Sequence, residues 1–141
     1  MLVGEAMMSR DRRAHPESWG LGSDAGKAAA RLGVTREEIK AQEQELEAEV
    51  SSFVGAMPFL WLDVADAPGP ESMRGVIERN CVALLSNAGK QALDSPSRSW
   101  LGAYSLHDRV RTSGLWNNNH VNESYDPGFL DVLDELIGRL T

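Results

Sequence analysis

The segment FLWLDV, residues 59–64, constrains the fold more than any other stretch of this chain. It is dense in aromatic and branched residues and lies between Pro58 and Ala67-Pro68-Gly69-Pro70, which predicts a β-strand. Large apolar side chains fall on both faces, Phe59 and Trp61 on one and Leu60, Leu62 and Val64 on the other, as in a strand covered on both sides. Such a strand is expected to be central and to pair its backbone with neighbours, because a buried N–H or C=O left unpaired costs roughly 1 to 3 kcal/mol. The only other candidates, 19–21 and 110–116, are weak. The partners are therefore expected upstream of Met1 or on another subunit, completing a small mixed sheet.

Everything else reads as helix or loop. Residues 1–9 suggest the tail of a helix with no capping residue ahead of it, and 10–34 a Gly-punctuated loop in which 25–32 could make a helical turn. Thr35 with Glu38 forms a capping box, and Ile39, Leu46, Val50, Phe53 and Val54 carry a helix to about residue 55. Pro70 suits a first helical position, and Met73, Ile77, Cys81, Leu84 and Leu85 form one apolar face until Asn87-Ala88-Gly89. Ser105 with Asp108 opens a short basic helix to about Thr112, and Asp126-Pro127 opens a last amphipathic one bearing Phe129, Leu130, Leu133, Leu136, Ile137 and Leu140. The expected fold class is α+β, mostly helical with one clear strand from an incomplete small mixed sheet. The expected division is a helix tail and Gly-rich loop over 1–34 and a main portion over 35–141.

Several function classes are excluded. The 141 residues contain one cysteine, so no internal disulfide can form, and a reducing compartment is expected. There is no run of roughly 18 apolar residues to span a membrane, and the start lacks a signal peptide, so the expected location is cytoplasmic. Gly20-Leu-Gly-Ser-Asp-Ala-Gly-Lys27 imitates a phosphate loop but has Leu21 where glycine is needed and Ala28 where Ser or Thr is needed. Cys81, His15, His107 and His120 do not stand at zinc-binding spacings, and no Gly-x-Ser-x-Gly elbow occurs. The net charge of −7 disfavours a polyanionic partner overall, but residues 69–112 carry six bases against four acids. The acids concentrate in the flanks, six over 35–50 and five over 117–141.

The order strand 59–64, Pro/Gly turn, then helix ESMRGVIERNCVALLSN over 71–87 resembles the C-terminal half of a GIY-YIG nuclease domain. The likeness covers roughly residues 56–88, with 100–125 also similar in character to bacterial proteins of that group. It implies a third sheet strand leading into a helix with a metal-binding glutamate, here Glu78, and a downstream asparagine, here Asn87. The family's tyrosine motifs and its catalytic arginine have no counterpart ahead of residue 56; Tyr104 and Tyr125 stand elsewhere.

A carboxylate suits Mg²⁺, which keeps several waters and takes one or two protein carboxylates plus substrate phosphate, so Mg²⁺ or another divalent cation is the cofactor this resemblance implies. Arg74, one turn before Glu78, is a candidate phosphate partner; the plainer alternative is an Arg74–Glu78 surface ion pair. His107, Arg109, Arg111, Asn117, Asn119 and His120 could meet a DNA backbone, or could form a solvated helix and a self-bonded turn. Trp61, Trp100 and Trp116 are expected in a core. The functional expectation is a metal-dependent DNA endonuclease with little or no activity as this isolated chain. The alternative is a non-catalytic interaction module that oligomerises, or docks a partner chain, through an unpaired strand edge.

Overall fold

The computed structural model describes residues 1–21, 24–69 and 72–139. Among them the chain forms six α-helices, α1 (Leu2–Asp11), α2 (Ala25–Leu32), α3 (Arg36–Gly55), α4 (Met73–Leu85), α5 (Asp108–Ser113) and α6 (Phe129–Gly138), with one 3₁₀ turn at Leu101–Tyr104. They divide into one unit of Met1–Pro58 with Ala103–Leu106 and another of Phe59–Gly102 with His107–Thr141.

In the first unit, α3 starts where its sequence says it should. Thr35 Oγ1 accepts the Glu38 N–H at 3.2 Å, and the Glu38 carboxylate accepts the Thr35 N–H at 2.8 Å, satisfying two donors that would otherwise be orphaned. Asp24 does the same for α2, accepting from Gly26 and Lys27 at 2.7 and 3.1 Å, and Gly33 closes that helix in the left-handed region at φ +69°. Ala28 and Ala29 pack with the fully buried Ile39, and Leu21, Ala25 and Leu32 lie against them. Methyl-sized side chains on α2 let its backbone approach α3 closely, and burying Ile39 alone contributes roughly 1.5 to 3 kcal/mol. α1 also packs on α3, where the Arg13 guanidinium grips Glu49 with two bonds of 2.8 and 2.6 Å. Gly4 is required here, since a Cβ on it would overlap the Trp19 ring.

The second unit packs α4 against α6, with Ala83, Leu101, Val110, Val121, Phe129 and Leu136 buried. Trp100 and Trp116 meet with ring centroids 5.6 Å apart, tilted by 55°. Both are half-buried. Gly114 ends α5 at φ +74°, a conformation that strains any residue with a Cβ.

The α+β expectation is overturned: the described residues contain no strand and no sheet. Residues 59–64 are extended, but among the described residues no backbone-to-backbone hydrogen bond involves 58–68. The segment is not central. Phe59 is 84% exposed, Leu60 101% and Trp61 66%, so Trp61 is not a core residue. The period of two survives only in part: Leu62, Val64 and Asp66 turn inward while Asp63, Ala65 and Ala67 turn out. The reason is that strand composition reports fitness for a pleated, half-buried surface and does not fold a single segment by itself. The Pro70 start of α4 and the Leu140 end of the last apolar stripe lie outside the described residues, as does the centre of the glycine loop at Gly22.

Candidate functional site

α4 is held at its start by groups from two directions. Ser72 Oγ accepts the Gly75 N–H at 3.1 Å, and Asp66, on the extended segment, accepts the Met73 N–H at 2.5 Å. A carboxylate at a helix N-terminus also meets the positive end of the helix dipole. Asp66 Oδ1 accepts from Arg74 Nε at 2.9 Å, and the same guanidinium donates to the Asp66 carbonyl oxygen. Partial desolvation pushes the Asp66 carboxyl upward; the Arg74 hydrogen bond, the Met73 N–H and the Arg74 charge outweigh it and hold it below the ordinary carboxylate value. Arg74 is therefore committed to Asp66, and the Arg74–Glu78 pair does not form.

Glu78 stands mid-way along α4, exposed, with no hydrogen-bond or ion-pair partner among the described residues. It rims a groove of about 270 Å³ lined by Leu60, Leu62, Val64, Arg74 and Ile77. The groove's apolar lining comes from the half-buried Leu62 and Val64 of the extended segment and the half-buried Ile77 of α4. Asn87 is not brought to it. It follows the end of α4, where its N–H donates to Ser113 O at 2.9 Å and its Nδ2 to Asp94 O at 3.0 Å, and it lines a separate cavity with Asp94, Pro96 and Gly114. Its Oδ1 is buried without a hydrogen-bond partner.

The basic segment divides as well. His107 precedes α5 and Arg111 pairs with Asp108 at 3.2 Å on the same helix. Asn117 Oδ1 accepts the Asn119 N–H at 2.8 Å, a local turn of the kind Asn favours. Arg109 and His120, by contrast, come together. Arg109 Nη1 donates to Asn118 O at 2.9 Å, His120 Nδ1 lies 2.8 Å from Glu123 Oε1, and Glu123 Oε2 accepts from Arg79 Nε at 2.5 Å. Arg109, Asn118, His120, Asn122 and Glu123 line a pocket of about 130 Å³. The His120 hydrogen bond first, and the Arg79 hydrogen bond second, hold the Glu123 carboxyl below its usual range.

Residues 120–126 are strapped along α4. Ser86 Oγ donates to Val121 O at 2.6 Å in a buried site, and Asn80 Oδ1 accepts the Asp126 N–H at 2.7 Å. His120 adopts φ +58°, in the left-handed region. Arg79 and Glu123 were not singled out from the sequence. The signal was present in the spacing of His120 and Glu123 three residues apart, but the Glu123 region reads first as an Asn122-Glu123-Ser124 sequon.

Among the described residues no three His, Cys, Asp or Glu side chains cluster as a metal cage. No helix among them is long and apolar enough to cross a membrane. A family model described as the GIY-YIG domain matches residues 1–141. No curated protein and no solved structure matches the chain.

Proposed function

Because this chain belongs to the GIY-YIG domain family, we propose that it acts on DNA as a divalent-metal-dependent phosphodiesterase in which Glu78 supplies the protein's carboxylate to the cation. The observation that carries this reading is the exposed Glu78 carboxylate at the rim of a groove, without a partner among the described residues. A single hard oxygen ligand, with no cage of three acids among the described residues, fits Mg²⁺ held weakly until substrate phosphate completes its shell. The bound cation would supply charge neutralisation at the phosphate under attack.

The chain's own residues supply position. Asp66 fixes the start of α4 and thereby the direction in which Glu78 projects. Arg74 keeps one terminal nitrogen clear of the described Asp66 contacts, and this is the proposed reach toward phosphate. Asn87 is proposed to anchor the far end of α4, and His107, Arg109, Arg111, Asn117, Asn119 and His120 to form the DNA-facing side. No water-activating group is assigned beside Glu78, so slow turnover is expected from these 141 residues alone.

The test is nicking of supercoiled plasmid by excess protein with Mg²⁺, over long incubation. Nicking that needs Mg²⁺ and disappears in Glu78→Ala supports the proposal. Equal nicking by both proteins, or none by the wild type, overturns it.

A second reading rests on the exposed Phe59, Leu60 and Trp61. Three consecutive large apolar side chains in water are unusual and suit a contact with a second copy of this chain. Light scattering across a concentration series tests it: a monomer at every concentration removes this reading.

A further inference from the structure

We infer that Arg109 and His120 form a binding pocket for a single phosphodiester group of nucleic acid, with Asn118 orienting Arg109, and Glu123 and Arg79 acting as positioning residues for the imidazole. The inference deepens the DNA-facing role proposed above for 107–120 and takes its ligand from that reading.

Size selects the ligand first. A pocket of about 130 Å³ falls well below the roughly 300 Å³ at which sites for drug-sized ligands begin, so it admits a small group and no base or sugar. Charge selects next. Arg109 brings a permanent cation to the pocket, and the one acid present, Glu123, has both oxygens engaged, Oε1 by His120 and Oε2 by Arg79. An entering anion therefore meets a carboxylate hydrogen-bonded on both oxygens and countered by the Arg79 cation.

The ring chemistry is then fixed by its neighbours. With Glu123 ionised, Nδ1 of His120 carries the proton and donates to it, which leaves Nε2 as the ring atom for a ligand. A phosphate oxygen favours the doubly protonated ring, in which Nε2–H is also a donor. Arg109, tied by one nitrogen to Asn118 O, keeps the remaining donors of its fork for the second phosphate oxygen. Pre-organisation is the third argument. A non-glycine residue at φ +58° persists only when its surroundings hold it, and here the Ser86–Val121, Arg79–Glu123 and Asn80–Asp126 bonds all fix the same loop. A donor pair held in place before binding loses little entropy on binding.

The experiment uses the whole chain in EDTA, so that binding is read without cleavage and its failure is distinct from failure of the Glu78 reading. His120 imidazole resonances are followed by NMR while a short DNA duplex, or inorganic phosphate, is added. Saturable movement with the duplex, and much weaker movement with inorganic phosphate, is expected. Movement with inorganic phosphate alone would assign the pocket to a free anion and overturn the nucleic-acid source; movement with neither would remove the pocket altogether.

Duplex affinity is measured in parallel. Arg109→Gln and His120→Gln should each weaken it roughly tenfold, the loss expected for a charge-assisted hydrogen bond. Arg109→Gln should also lower the slope of log affinity against log salt by about one. Glu123→Gln should weaken binding only at His120, leaving the Arg109 contribution intact. Arg139→Gln removes an equal charge from the residue that follows α6 and serves as the control. If it weakens binding as much as Arg109→Gln, the effect is general electrostatics and the inference falls.

Discussion

Arg74 donates its Nε–H to Asp66 at 2.9 Å and leaves Glu78, one turn ahead on the same helix, without a partner among the described residues. The extended segment thus supplies both a cap for α4 and a counter-charge for its first arginine. Glu78 keeps its carboxylate available as a result.

The pair is expected to behave as a unit. Asp66→Ala should lower the Tm and also release Arg74 toward Glu78, weakening the response of nicking to Mg²⁺. In a double-mutant cycle with Arg74→Ala, non-additive melting temperatures are the expected result. Strictly additive values would mean that the Arg74 contact is incidental.

Acid should loosen the loop strapped to α4. The Glu123 carboxyl is depressed in the folded chain by the His120 and Arg79 hydrogen bonds, and Asp66 is depressed in the same direction. For a depressed acid the stabilisation is present above the unfolded value, roughly 4 for these residue types, and is lost as pH falls through the folded one. The Tm should therefore drop as the pH falls below about 4, and Glu123→Gln should show a shallower drop there. An unchanged slope in the variant would remove Glu123 from the account.

Gly114 and Gly33 should respond differently to alanine. Both have positive φ, which costs an alanine about 1 to 2 kcal/mol. At Gly33 nothing lies within 4 Å of the added Cβ, whereas at Gly114 it would stand 2.7 Å from Pro96 Cγ and 2.9 Å from Asn87 Nδ2. Gly114→Ala should thus lower the Tm more than Gly33→Ala, and should shift the Asn87 amide resonances. Equal losses would show that the Asn87 cavity yields freely.

Trp61 and Ile39 mark the two extremes of burial. Trp61→Ser should change stability by no more than about 0.5 kcal/mol, as surface changes usually do. Ile39→Ala, at a residue with no exposed surface, should cost about 2 to 5 kcal/mol in denaturant unfolding. A large loss at Trp61 would show that the segment packs in solution after all.

Where structure is fixed by neighbours in sequence, it was legible. The Thr35–Glu38 box, the Ile39–Leu46 stripe, the Gly114 stop and the Asp126-Pro127 start all act within one or two turns, and all lead to helices close to where they were expected. α2 was harder to see, because Ala28 and Ala29 carry little pattern until Ile39 packs on them. FLWLDV misled for the opposite reason: its residues suit a ladder that requires a second segment, and none is present among the described residues. The family likeness reached beyond the residues that suggested it, since the match extends over 1–141. In the site, Glu78 came from the family resemblance, while its spacing from Arg74 suggested only an ion pair, which does not form. The Arg79–Glu123 contact spans 44 positions, and no local pattern announces a pair so far apart.

The unladdered stretch also decides where the polypeptide can be cut. A protease needs several residues of extended, accessible chain, and 59–61 offer them with two aromatic side chains that a chymotrypsin-like enzyme prefers. The first nick should fall after Phe59 or Trp61. It would sever the peptide that carries the α1–α3 packing from the one that carries Asp66 and α4, leaving the helix cap on the same fragment as the helix it caps.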